Sequence, residues 1–308
     1  LTLSLLLIIA IIGKRTSNLP KNIWLLFLAQ PLAMCSTPIV VLAGGLMGAK
    51  MAPRPELATL PLTLMILGTA LAVVPASMLM KNIGRRRGTM FGIMLAVLGS
   101  LTVSYASVKD IFELLLCGTF FMGMSMAFVA QMRFAAIESL TDVSLMPKAI
   151  SVLMASGLFA AMLGPEVAVI AAEWIESPYG FAGSFFALSI LLIVAIIIIS
   201  QLDPMTIPEH KTDNNARKLT TIIRQPLFII AISSSAIAYA VMSYVMTATP
   251  LSMHEFHSYD LQSVKWVVQS HILGMYLPSL IAALLLKKLG INRLMILGSS
   301  LYVVVVII

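Results

Sequence analysis

The sequence is short of charge. Only 11% of its 308 residues are Asp, Glu, Lys or Arg, against roughly 25% in an ordinary soluble domain. So few charges cannot cover a water-facing surface, which excludes a typical soluble globule and leaves the bilayer as the solvent. Cysteine is nearly absent as well. Cys35 and Cys117 both lie in apolar runs and read as buried small hydrophobes, with no CxxC and no disulfide framework. There is no G-x-x-x-x-G-K-[ST] motif, so nothing points to ATP hydrolysis. The stretch "HEFH", with His254, Glu255 and His257, is not HExxH, and the metalloprotease geometry is missing. No metal site and no cofactor are expected. Without a recognisable nucleophile, metal or phosphate motif, an intramembrane enzyme is disfavoured too.

What is present is apolar length. Hydrophobic residues make up 59% of the chain and the mean hydropathy is +0.99. Apolar runs cover 22–48, 58–80, 89–108, 111–132, 149–172, 181–202, 226–250 and 265–286, and a further run begins near Leu294. A spanning helix needs about 20 such residues. Open strands are not tolerated in hydrocarbon, so an all-α membrane protein with about nine transmembrane helices is expected. Residues 1–20 are left as an unassigned stub. Their opening "LTLSLLLIIAII" reads as the tail of a cut segment or a signal-like stretch. The last run, "LMILGSSLYVVVVII", is too short to span comfortably, so the sequence reads as a fragment of a longer chain.

The excess of positive charge follows the gaps between runs. Sixteen Lys and Arg fall in alternate gaps on one side and four on the other. That bias puts the start of the first run in the cytoplasm and makes nucleic acid an unneeded partner. The polar stretch "DPMTIPEHKTDNNARKLTT" at 203–221 divides the chain. A six-helix bundle is expected at 21–202, a cytoplasmic linker at 203–225 and a second, truncated bundle at 226–308. Transporters are commonly built from such repeats, with a substrate site between them.

Four positive charges crowd into "KNIGRRRG", residues 81 to 88, read here as a cytoplasmic turn. Anchoring of topology and lipid headgroups accounts for such a cluster at the simplest level. Its second half, Gly84, Arg85 and Arg86, also resembles the signature of the major facilitator superfamily at the turn between its second and third helices. The signature's aspartate falls at Lys81 and its first glycine at Ser77, which are departures. The resemblance implies a gate motif at Lys81, Gly84, Arg85 and Arg86 and a fold of twelve helices. Since a lysine cannot replace the aspartate, either another carboxylate serves the arginines or the gate is weaker. In the run 149–172, Gly157 and Gly164–Pro165 resemble part of the superfamily's antiporter signature, implying a kink; plain packing of small residues explains them equally. The basic residue that antiporters carry in the fourth helix would fall near Cys117 and is missing. "MRFAAIE", "VMTATPLSMH" and "VVQSHILGMYLPSL" resemble a bacterial subgroup that includes riboflavin transporters.

Ionisable residues within apolar runs are costly and therefore informative. Glu166 and His271 are the two singled out. Counted from the run ends they reach similar depths, so they are expected to approach across the two halves as proton or substrate ligands. The plainer alternatives are that Glu166 reaches the interface and His271 bonds a carbonyl. Gln269 lies two residues before His271, and Gln30 precedes Pro31 in the first run. Tyr239, Ser243 and Met246 recur at helical spacing, with Tyr244 beside them, a lining suited to a planar, uncharged ligand. Interhelical hydrogen bonding is the competing explanation for each. Arg133 reads as an interface anchor, and Met122, Met124 and Met126 as packing. The whole points to a secondary transporter of a small organic solute in a bacterial inner membrane, driven by the solute's gradient or by protons. Riboflavin or a similar planar compound is the suggested substrate. An efflux permease, or a sensor on the same fold, is the alternative.

Overall fold

The computed structural model describes residues 2–140, 142–203 and 219–307. Among them every regular element is helical. Helix α1 is Thr2–Thr16, and α2 runs Lys21–Met51 with a π turn at Val40–Gly44. Then come α3 (Leu60–Ile83), α4 (Arg85–Lys109), α5 (Phe112–Val129), the short α6 (Met132–Glu138), α7 (Met146–Ile170) and α8 (Ala182–Ser200). After the short α9 (Leu219–Ile223) come α10 (Pro226–Leu251) and α11 (Leu261–Ile307). Within α11 Gly290 has φ +73°, so two helices meet there at a bend. Most of the expected linker lies outside the described residues.

The elements follow from composition. In hydrocarbon every backbone N–H and C=O must be satisfied within its own segment, so each apolar run closes its own hydrogen bonds as a helix. Seven of the described helical stretches are long and apolar enough to cross a membrane. Since lipid tails are as apolar as leucine, the helices associate through close packing and hydrogen bonds. Helix α5 shows how. A Cβ on Gly123 would lie 2.0 Å from the Met65 carbonyl oxygen, and one on Gly118 2.6 Å from that of Gly99. Glycine therefore lets α5 press against both α3 and α4. Thr69 Oγ1 donates to the Gly123 carbonyl at 2.8 Å across the first contact. Ser104 Oγ likewise donates to the Ala182 carbonyl at 2.8 Å, joining α4 to α8. The buried core runs through α2, α4, α5, α7 and α8, centred on residues such as Leu26, Leu42, Met122 and Phe185.

Residues 1–20, left unassigned, contain a helix, α1, whose Gly13 packs under the Trp24 ring. The turn expected at 81–88 is tight: α3 continues to Ile83 and α4 starts at Arg85, leaving Gly84 alone between them. Gly84 has φ +83°, a conformation that disfavours any side chain, and so makes the turn in one residue. Of the two cysteines only Cys35 is buried, and Cys117 is on the exterior of α5.

Candidate functional site

The basic end is tied together by Arg85. Its Nε and Nη2 reach Glu138 Oε1 at 3.0 and 2.9 Å, and its Nη1 donates to Gln131 Oε1 at 3.1 Å. The guanidinium also lies 5.6 Å from the centre of the Phe134 ring. Arg86 donates to the Leu202 carbonyl at 3.1 Å, gripping the end of α8. Arginines in the first turn of a helix oppose its dipole. Here Glu138, at the end of α6, supplies the missing negative charge. It is the other carboxylate that the departure at Lys81 called for, and it stands at the end of the quoted "MRFAAIE" run, where spacing alone could not pair it with Arg85. Lys81 is exposed and makes no ion pair among the described residues. Nearby, Asp203 is held by Asn22, which accepts from its N–H at 2.9 Å and donates to its carbonyl at 3.3 Å.

At the opposite end α7 and α11 run antiparallel and zip together. Lys265 Nζ meets Glu166 Oε2 at 2.9 Å, and one turn further Gln269 Nε2 donates to the Met162 carbonyl at 2.9 Å. Beyond these, a Cβ on Gly157 would lie 2.3 Å from the Tyr276 ring. This register separates the two expected partners. Glu166 is neutralised by Lys265, whereas His271 lies six residues on, about 9 Å further along the axis at 1.5 Å per residue. Depths counted from uncertain run ends misplaced them. Lys265, at the start of the run read from 265, is 6% exposed and lies inside the helix, which begins at Leu261. Its four-residue spacing from Gln269, matching that from Met162 to Glu166, was the available clue.

Two buried polar atoms have no partner among the described residues: Gln30 Oε1 and His271 Nε2. Both lie beside the same stretch of α7. On α2, Phe27 packs edge-on against Phe159 at 5.9 Å, and Pro38 packs against Gly164, with Gln30 between. On α11, His271 falls between Gln269, bonded to Met162, and Tyr276, packed on Gly157. Each atom is therefore near the level of residues 157–162. Helix α7 is continuous through Gly164–Pro165, and a Cβ on Gly164 would lie 2.3 Å from Pro38, so α2 approaches closely there.

A cavity of about 210 Å³ opens between α2, α3, α5 and α10. Thr37, Met65, Thr69, Met126, Tyr239, Ser243 and Met246 are among its lining residues. Met126 packs against the core, as expected, and also borders this cavity. Tyr244 does not join Tyr239 and Ser243 there; it is exposed and borders a neighbouring groove with Thr59 and Thr63. Gln30 and Thr37 are seven residues apart on α2, which places them on one face, and Gln30 Nε2 reaches Met34 Sδ at 3.4 Å on the same stripe. The π turn of α2 includes Val41, another lining residue. Such turns recur at functional sites.

Long apolar helices around a partly polar cleft define a multi-pass membrane protein of the transporter class. The Major Facilitator Superfamily model matches residues 5–308. The chain belongs to that family. It is 33% identical over 283 residues to the riboflavin transporter RfnT of Brucella anthropi, covering 90% of this chain and 70% of the relative. The uncharacterized MFS-type transporters YdeG and YddS of Bacillus subtilis are 27% and 26% identical, each over 90% of this chain. The chain spans 67% and 66% of their lengths.

Proposed function

We propose that the protein moves a small, planar, largely uncharged solute across a bacterial inner membrane by alternating access, and that riboflavin or a close analogue is that solute. The observation carrying this reading is the pair of unpartnered buried atoms, Gln30 Oε1 and His271 Nε2. Buried polar groups are nearly always satisfied, and one left open calls for a water or a ligand. An amide oxygen and an imidazole nitrogen suit a ring edge of alternating N–H and C=O groups. The cavity between α2, α3, α5 and α10, lined by thioethers and the Tyr239 ring, suits the flat apolar remainder. The 33% identity to RfnT supports the choice of riboflavin. Glu166 is already neutralised by Lys265, so coupling to protons falls on His271. The charge bias supports a cytoplasmic Arg85 end.

The test is uptake of labelled riboflavin by cells that neither make nor import it, carrying the full-length gene, with and without a protonophore. Uptake that His271→Ala abolishes at matched membrane abundance is the expected result. No uptake despite good expression would overturn riboflavin as the substrate.

A further inference from the structure

The exterior of the bundle carries a second concavity, unconnected with the cleft. Helix α5 packs closely on both α3 and α4, while those two touch each other less, so a groove of about 440 Å³ runs between them with α5 as its floor. Phe120, Met124 and Phe128 form that floor; Leu71, Pro75 and Leu79 line one wall and Phe91 and Leu95 the other. The lining is almost wholly apolar, and Ala72 and Pro75 leave α3 without a side chain long enough to fill it.

The groove leads towards the basic cluster. Of the four cations there, Arg85 is held by Glu138 and Gln131, and Arg86 by a carbonyl. Arg87 and Lys81 are exposed with no partner among the described residues. Arg87 precedes Phe91 by four residues and Leu95 by eight, so it continues the groove's α4 wall. Lys81 stands at the same end of α3 but about 200° around the helix from Leu79, so it does not continue the other wall. An apolar trough with one exposed cation at its end matches one kind of occupant by charge and by shape. We propose that this groove binds one acidic phospholipid, with an acyl chain along Phe120, Met124 and Phe128 and the phosphate on Arg87. Arginine suits a phosphate particularly well.

Native mass spectrometry of the full-length protein in detergent, titrated with phosphatidylglycerol and phosphatidylcholine of identical chains, tests it. Wild type should retain one phosphatidylglycerol in strong preference. Arg87→Gln should lower that preference about fivefold, the fold equivalent of about 1 kcal/mol per basic residue near an acidic lipid. Lys81→Gln, off the groove's face, should lower it less, and Lys109→Gln, at the far end of α4, should leave it unchanged. Leu79→Trp fills the groove with Arg87 intact and should weaken both lipids. Equal retention of the two lipids by wild type would overturn the proposal, and that arm decides even where a variant fails to fold. Displacement by soluble glycerophosphoglycerol would also overturn it, showing a phosphate site without a lipid groove. So would a lipid-free dimer, showing that a second copy covers this face.

Discussion

Glu166→Gln isolates what holds α7 to α11. The variant keeps the shape of the side chain and removes its charge, leaving Lys265 a cation with 6% of its side chain exposed. Two unit charges about 4 Å apart attract by about 4 kcal/mol at an effective dielectric near 20. Glu166 is 42% exposed, so water already screens part of this. The Trp266 ring, 4.9 Å from Lys265 Nζ, also steadies the cation when the carboxylate is gone. A loss of about 1–2 kcal/mol remains, which at about 2–4 °C per kcal/mol lowers the apparent Tm by about 2–8 °C. Lys265→Met should cost less, because the carboxylate left behind is partly solvated. The double variant should recover most of the loss, since removing both members of a buried pair leaves no stranded charge. Thermal unfolding of purified protein, scanned identically for all four forms, reads this cycle. A double variant whose Tm falls by the sum of the two single losses would refute the reasoning, as would an unchanged Tm in Glu166→Gln.

Three further outcomes are expected. Gln30→Leu removes an acceptor that has no protein partner, so folding should hold while riboflavin uptake falls at least tenfold, the order of one lost hydrogen bond at about 1.4 kcal/mol per factor of ten. Loss of folded protein instead would show that Gln30 serves packing. Exchanging the charges in Arg85→Glu with Glu138→Arg should restore part of the stability lost in either single variant, measured by Tm; no recovery would mean that the guanidinium's bonds to Gln131 and Phe134 matter more than the ion pair. Gly164→Val should destabilise the protein by about 1–3 kcal/mol through overpacking, because a Cβ alone would lie 2.3 Å from Pro38. An unaltered Tm would show that α2 can retreat freely.

The spans were readable because hydropathy is a local property: each run of about 20 apolar residues closes its own hydrogen bonds whatever its neighbours do. Helix ends were less so. Arg85, Arg86 and Arg87 look like loop residues by composition, yet they form the first turn of α4, where Glu138, some fifty residues away, pairs with Arg85. Depth suffered most. An error of a few residues at each run end shifts a mid-membrane residue by several ångströms, enough to set Glu166 opposite His271 when its neighbour is Lys265. The register was nevertheless written in the spacing of Glu166 and Met162 against Lys265 and Gln269, and a heteropolar pair at matching depth was a better guide than a count from the ends.

That register changes what the intramembrane charges can do. A lone carboxylate at mid-depth would be a proton carrier by default, because ionising it unpaired is costly. Glu166 is not alone, and its pairing with Lys265 leaves no net charge where α7 and α11 meet. The contact is therefore strong when closed, but opening it exposes both groups to water, which offsets the Coulomb energy lost. An apolar contact of equal strength would have no such compensation on opening. A heteropolar contact between α7 and α11 thus costs less to open than an apolar one of equal strength, while Gln30 Oε1 and His271 Nε2, without a partner among the described residues, lie at a level about two turns further along α7.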